Sequence, residues 1–252
     1  MIEPRLGKHK SKLNIVPKEY LGIFFDYITT KIASKNLCYP NKLYKGVKTP
    51  GLLSINLNPL VIEDPYENYK QYIFKCFNND KINIILIPII VYDKILNTSH
   101  FNAVIINKNT KRIEYFEPYG TYTIYNKNFK KIVHHYFTKL INNNQHKYEF
   151  KFTEHHCPRG LPRGLQSLQE REERMPKGTG LCTAWNILIM HIIILNPKYK
   201  TSEIVNILIE KYPSNLTKYI REYISFLEEL AYDSKITDET AKYQELLSDM
   251  GF

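Results

Sequence analysis

The chain has 252 residues, 43% of them apolar, which is enough for a sizeable core and excludes bulk disorder. Its four cysteines (Cys38, Cys76, Cys157 and Cys182) are widely spaced with no C-x-x-C pair, so no disulfide framework is expected and an intracellular, reducing setting is. The net charge of +10 has two readings, a composition rich in Lys, Asn, Ile and Tyr or a surface for a polyanion such as nucleic acid.

Residues 1–16 are polar and basic, show no leader-like apolar stretch, and read as a loose arm. Lys18 to Ser34 has helical spacing in Leu21, Phe24, Phe25, Ile28 and Ile32. Residues 38–64 hold Pro40, Pro50 and Pro59 and read as irregular structure; Pro65 to Phe77 reads as a second helix. Residues 1–80 are therefore expected to form a helical subdomain or lid ahead of a core at 81–252. Lys81 to Tyr92, rich in Ile and Val but interrupted by Pro88, predicts a buried central strand and is too short to span a membrane. Thr98 to Asn107 and Lys111 to Glu117 predict two more strands, joined by a turn at Asn107-Lys108-Asn109-Thr110. Pro118-Tyr119-Gly120 stops the second. A helix over Asn126 to Asn143 and a strand over Lys147 to Thr153 follow, and a basic loop with Pro and Gly runs from His155 to Gly180. Past residue 200, helices are expected over Ser202 to Lys211, Leu216 to Tyr232 and Asp238 to Asp249, the last capped by Thr237.

The stretch Lys177 to Pro197 organises the rest. Gly178 and Gly180 permit backbone conformations closed to other residues. From Cys182 to Leu195 the chain is apolar almost all round, so this helix is buried, and Asn196-Pro197 ends it. Cys182 then sits at the first turn, where unpaired N–H groups and the helix dipole favour a thiolate. Two readings stand: a mounted nucleophile, or a small core cysteine.

A turn at residues 107–110 sets a constant index sum of 217 for opposed residues, and His100 and Glu117 satisfy it. They are expected to face each other with Cβ atoms about 5 Å apart. This is either a carboxylate that orients and stabilises an imidazolium, or a charge pair at a sheet edge. His191 lies on the far side of the Cys182 helix and reads as a core residue; His134 and His135 fall on the polar edge of an amphipathic helix. His155-His156-Cys157 lacks a second ligand pair at zinc spacing, so no metal or other cofactor is expected.

His100-Phe101-Asn102-Ala103-Val104-Ile105-Ile106, Tyr115-Phe116-Glu117-Pro118-Tyr119-Gly120, Gln166-Ser167-Leu168-Gln169 and Gly180-Leu181-Cys182 occur in that order. The series resembles the adenovirus endopeptidase (adenain) and its relatives, the Ulp/SENP ubiquitin-like-protein proteases. The Cys-Thr-Ala-Trp variant is similar to Ulp-like proteases encoded by large DNA viruses. The likeness spans residues 82–197 and implies an α+β cysteine-protease fold, with a small twisted sheet packed on a central helix that starts at the nucleophile. It implies Cys182 as nucleophile, His100 as base and then acid, and Glu117 to orient His100. A glutamine would donate to the oxyanion alongside the Cys182 N–H. Gln169 matches best and Gln166 is the alternative, because the segment between Gln169 and Cys182 is longer and more charged than in adenain.

The function so implied is thiol-dependent cleavage after a small-residue, Gly-Gly-like tail. The partner would be ubiquitin, a ubiquitin-like modifier or a viral polyprotein, with no membrane. A YopJ-type acetyltransferase shares the fold and residue order and stays open. So does a non-catalytic basic protein that binds nucleic acid on a protease scaffold.

Overall fold

The computed structural model describes residues 1–13, 15–16, 19–32, 36–44, 47–120, 127–141, 148–152, 164–173 and 180–232. The expected helix at 238–249 with its Thr237 cap, Gly178 and the His155-His156-Cys157 triplet lie outside them.

α1 (Tyr20–Tyr27) runs on through a π-helical turn at Ile28–Ile32 and buries Leu21, Phe24, Phe25 and Ile28. Five short strands follow: β1 (Leu37–Cys38), β2 (Asn41–Tyr44), β3 (Val47–Pro50), β4 (Leu53–Leu57) and β5 (Leu60–Glu63). The expectation of irregular structure over 38–64 is corrected here. The prolines punctuate these strands instead of abolishing them: Pro40 precedes β2, Pro50 ends β3, and Pro59 lies in the turn between β4 and β5. Next come α2 (Tyr69–Asn78), β6 (Ile84–Asp93), β7 (Thr98–Asn107), β8 (Arg112–Phe116), α3 (Lys127–Ile141) and β9 (Glu149–Lys151). α4 (Leu165–Glu173) replaces part of the expected 155–180 loop, because its Gln, Glu and Arg residues are good helix formers. α5 (Cys182–Leu195), α6 (Thr201–Lys211) and α7 (Leu216–Tyr232) complete the described elements.

The sheet is built around β6, whose β-branched residues suit a pleated surface buried on both faces. β7 pairs antiparallel with all of it, from Ile84 opposite Asn107 to Asp93 opposite Thr98. β8 adds antiparallel to β7, and β9 parallel to β8. On its other side β6 receives β1 at Ile84–Ile85 and β4 from Ile89 to Tyr92, both parallel, with β5 antiparallel at the edge. Pro88, which has no N–H to give, falls in the gap between β1 and β4. The sheet thus draws strands from both sides of residue 80. β2 and β3 pair with each other apart from it.

Ile84 and Leu86 of β6, with Phe101, Ala103 and Ile105 of β7, pack with α1, α5, α6 and α7. The alternate residues Ile85, Ile87, Ile89, Val104 and Ile106 pack with α2 and α3 on the opposite face. Cys38 and Cys76 are disulfide-bonded, with Cα atoms 6.0 Å apart, joining β1 to α2. This corrects the expectation of no bridge. Sequence spacing could not show that β1, by pairing with Ile85, carries Cys38 to the α2 face.

The N-terminal arm is not loose. Gly7 N–H donates to Glu222 O at 2.8 Å and Ser11 N–H to Arg221 O at 3.1 Å, laying the arm along α7. A Cβ on Gly7 would lie 2.5 Å from Phe226 N, so only glycine permits this approach. Arg221 Nη1 returns bonds to Ser11 O and Leu13 O, and Arg5 pairs with Glu229 at 2.9 Å. Val16, buried, reaches Gly180 O through its N–H at 3.5 Å.

Candidate active site

Leu181 N-caps α5, and its carbonyl accepts the Trp185 N–H at 3.0 Å, so Cys182 is the first residue of the helix. Every residue from Cys182 to Ile194 is buried, as the run of apolar residues predicts. Trp185 is fully buried in the core one turn below the thiol. Among the described glycines only Gly120 has a left-handed backbone, with φ 99°. Gly180 contributes in another way: a Cβ there would sit 3.7 Å from Cys182 Sγ, so any side chain at this position would lie against the sulfur.

The thiol meets the sheet where a ladder ends. β8 pairs with β7 only as far as Ala103 opposite Phe116. Phe101 lies two residues beyond, and its backbone N–H donates to the Cys182 sulfur. Its carbonyl accepts Asn186 Nδ2 at 2.7 Å, and the same Nδ2 donates to Cys182 O at 2.9 Å. α5 is thereby clamped to β7 beside the thiol.

His100 precedes Phe101. Its Nε2 lies 2.6 Å from Glu117 Oε1, and the ring also hydrogen-bonds the Cys182 sulfur, which leaves Nδ1 for that contact. Glu117 is buried, and the same Oε1 accepts the Tyr119 N–H at 2.7 Å. The His100 side chain keeps 23% of its exposure, so the group between a buried carboxylate and a buried thiol can still be reached from solvent.

The expected register is corrected. Asn107 pairs with Arg112 and Ala103 with Phe116, an index sum of 219, so His100 and Glu117 are diagonal partners, not opposed ones. The turn is the cause. Asn107 Oδ1 accepts the N–H groups of Asn109 and Thr110, and Lys111 adopts φ 52°, giving a loop of four residues, 108–111. A shift of two residues keeps both side chains on one face, and a diagonal pair remains within reach of long side chains.

Burial opposes charge on both partners, and their contact with each other works against that opposition. His100 is held well above its ordinary range, because Glu117 and the Cys182 sulfur outweigh the burial. The Cys182 thiol is pushed down, against its burial, by His100 and the Phe101 N–H. Their mutual contact favours the thiolate–imidazolium form of the pair.

Gln166 and Gln169 are both buried on α4. Gln166 N–H donates to Pro118 O at 2.9 Å, docking the start of α4 on the segment after Glu117. The side-chain amides donate within α4, Gln166 Nε2 to Glu170 at 2.9 Å and Gln169 Nε2 to Glu173 at 2.5 Å. Glu173 in turn is paired with Arg221 of α7. The structure thus brings Cys182, His100 and Glu117 into direct contact, and the two glutamines onto the helix that abuts the Glu117 segment.

His191 is buried among Phe24, Tyr27, Tyr223 and Phe226, and burial lowers its pKa to about 4. His134 and His135 are exposed on α3. Among the described residues no group of three or more His, Cys, Asp or Glu side chains is arranged to hold a metal, and no helix is long and apolar enough to cross a membrane. Asn186 was missed by sequence reasoning, because a lone asparagine in an apolar helix carries no spacing signal.

Sheet and central helix together have the α+β fold of the Ulp-type cysteine proteases. The Chlamydia trachomatis effector protein ChlaDUB1 superposes with a TM-score of 0.51 at 12% identity, covering 88% of this chain and 87% of that one. A second ChlaDub1 structure gives 0.49 at 12% identity over 90% and 97% of the two chains. The Legionella pneumophila effector protein RavZ gives 0.43 at 8% identity over 87% of this chain and 68% of that one. At such identities the likeness speaks for fold alone, and only the first superposition is near enough to argue from. No protein-family model and no curated protein sequence matches the chain.

Proposed function

We propose that this chain is a cysteine peptidase that cleaves after the small-residue tail of ubiquitin or a ubiquitin-like modifier. The observation that carries the reading is the unbroken run of hydrogen bonds from Cys182 through His100 to Glu117. The thiolate attacks the scissile carbonyl carbon; the C–S bond forms as the carbonyl electron pair moves to oxygen. The Cys182 N–H, at the positive end of α5, faces that oxyanion, and a glutamine amide from α4 turns from its glutamate to join it. When the intermediate collapses, His100 gives its proton to the leaving amine, and then draws one from the water that hydrolyses the thioester. Glu117 holds the ring and supports its charge throughout. The absence of a side chain at Gly180, beside the sulfur, suits a tail without bulky side chains.

Ubiquitin-type modifiers and short Gly-Gly tails, each ending in an electrophile, test this directly. Wild type should form a covalent adduct with at least one of them and Cys182→Ala with none. Failure of every member of the panel to label wild type sinks the reading. A companion measurement separates the glutamines: of Gln169→Ala and Gln166→Ala, the one that removes the oxyanion donor should lose about 10²–10³ in kcat. The other should stay within a few-fold of wild type.

A further inference from the structure

α4 carries both candidate oxyanion glutamines, and it begins against the turn that follows Glu117. That turn is closed on itself. Glu117 O accepts the Gly120 N–H at 3.2 Å, and Glu117 Oε1 accepts the Tyr119 N–H at 2.7 Å. The carbonyls of the next two residues face α4. Tyr119 O accepts the N–H of Gly164, the residue before the helix, at 2.9 Å, and Pro118 O accepts the N–H of Gln166 at 2.9 Å. The first N–H groups of a helix have no partner inside it, so these two carbonyls cap α4.

The approach is close enough to dictate the residue at position 164. A Cβ there would press on Pro118 O and lie 2.6 Å from Gly120 N, both of them backbone atoms. Gly164 is buried, and Ser167 Oγ donates to its carbonyl at 3.0 Å, so the first turn of α4 is tied to this one point. The Glu117 turn resists displacement, because it continues β8 and is held by its own bonds. α4 is the part that gives. Its far end is held through side chains, Glu172 accepting the N–H of Thr217 at 2.9 Å and Glu173 pairing with Arg221. Relief of a Cβ contact at 164 therefore displaces the start of α4 by about 1 Å, and a misplacement of that size costs up to about 10²-fold in rate.

Resting on the peptidase reading, we propose that Gly164 is a positioning residue for the oxyanion donor. By letting the turn after Glu117 cap α4 at close range, it sets where the glutamine amide can reach. It acts through that glutamine, not through the thiol or the imidazole.

The test is the variant Gly164→Ala, assayed with fluorogenic coumarin amides of ubiquitin and of a Gly-Gly peptide. On the amide that wild type cleaves, kcat should fall about 10²-fold with KM within a few-fold. The pH profile for alkylation of Cys182 by iodoacetamide should stay where it is in wild type, because Cys182, His100 and Glu117 keep their contacts. Added to Gln169→Ala or Gln166→Ala, whichever loses rate, Gly164→Ala should take away nothing more, since the donor it positions is already gone. Losses that multiply, a shifted alkylation profile, or a kcat equal to wild type each overturn the inference and leave the peptidase reading standing. So does full activity in both glutamine variants. Where circular dichroism shows Gly164→Ala to be unfolded, Ser167→Ala carries the test: it withdraws one bond from Gly164 O and should give the same pattern with a several-fold loss. A wild type that cleaves neither amide removes the peptidase reading and this inference with it.

Discussion

A buried amide that gives hydrogen bonds to carbonyls on two different elements fixes how those elements sit against each other. Asn186 does this between α5 and β7, one turn below Cys182 and one residue from His100. Asn186→Ala withdraws the donor from Phe101 O and should cost about 1–3 kcal/mol in urea denaturation. It should also let the thiol drift from the Phe101 N–H, so alkylation of Cys182 by iodoacetamide should need a higher pH. A variant that loses stability while its alkylation profile stays fixed would show Asn186 to be packing only. The pH dependence of wild type follows from the same contacts. The Cys182 thiol is lowered and His100 is raised, so activity should rise with pH through a limb below the ordinary thiol range. It should fall only where the imidazolium is lost. Glu117 is the strongest influence raising His100, and Glu117→Gln should therefore shift the alkaline limb to lower pH. A kcat/KM profile with an unmoved alkaline limb would contradict this. The three residues in contact were legible from the order of short motifs along the chain. Asn186 was not, because its partners lie on another element.

Between elements, the hairpin of β7 and β8 shows why parity matters more than register. A four-residue loop moved the pairing by two positions from the one expected, yet His100 and Glu117 stayed on a common face. A slip of one would have parted them. The loop depends on Asn107, whose Oδ1 collects two backbone N–H groups while its Nδ2 donates to Pro197 O at 3.0 Å. α5 is therefore tied to β7 at both ends, at Asn186 and just past Leu195. Lys111 bears the conformational cost of the turn, with its left-handed φ of 52°. Lys111→Gly should relieve it and stabilise the chain by about 0.5–1 kcal/mol, with activity unchanged. A lower melting temperature for that variant would show that the lysine side chain does more than tolerate the turn. The strands of 38–64 were illegible for a different reason. They are two to five residues long, and most of their pairing is with β6 or with each other, so periodicity had little length in which to show.

At the scale of the whole molecule, the first 16 residues link the most distant parts of the chain to the site. Composition read them as a loose basic arm, because polar side chains say nothing about where backbone groups find partners. The structure sends Ile2 to Asn196 at 2.6 Å, pairs Glu3 with Lys211 at 2.8 Å, and runs the arm along α7 to Val16. Val16 then meets Gly180, two residues before Cys182. The arm also touches the mount of α4, since Arg221 holds Ser11 O and Leu13 O while pairing with Glu173, the partner of Gln169. Removing residues 2–13 deletes several such bonds, each worth about 0.5–1.5 kcal/mol, and should lower the unfolding midpoint clearly. It should also slow turnover more than it weakens substrate binding, because Arg221, which it frees from Ser11 O and Leu13 O, pairs with Glu173 on the glutamine helix. Adding a synthetic peptide of residues 1–16 to the truncated chain separates the two effects. If the arm braces the site, the peptide restores both the midpoint and kcat. If the arm is only ballast for α7, the midpoint recovers with the peptide while kcat never changed on truncation.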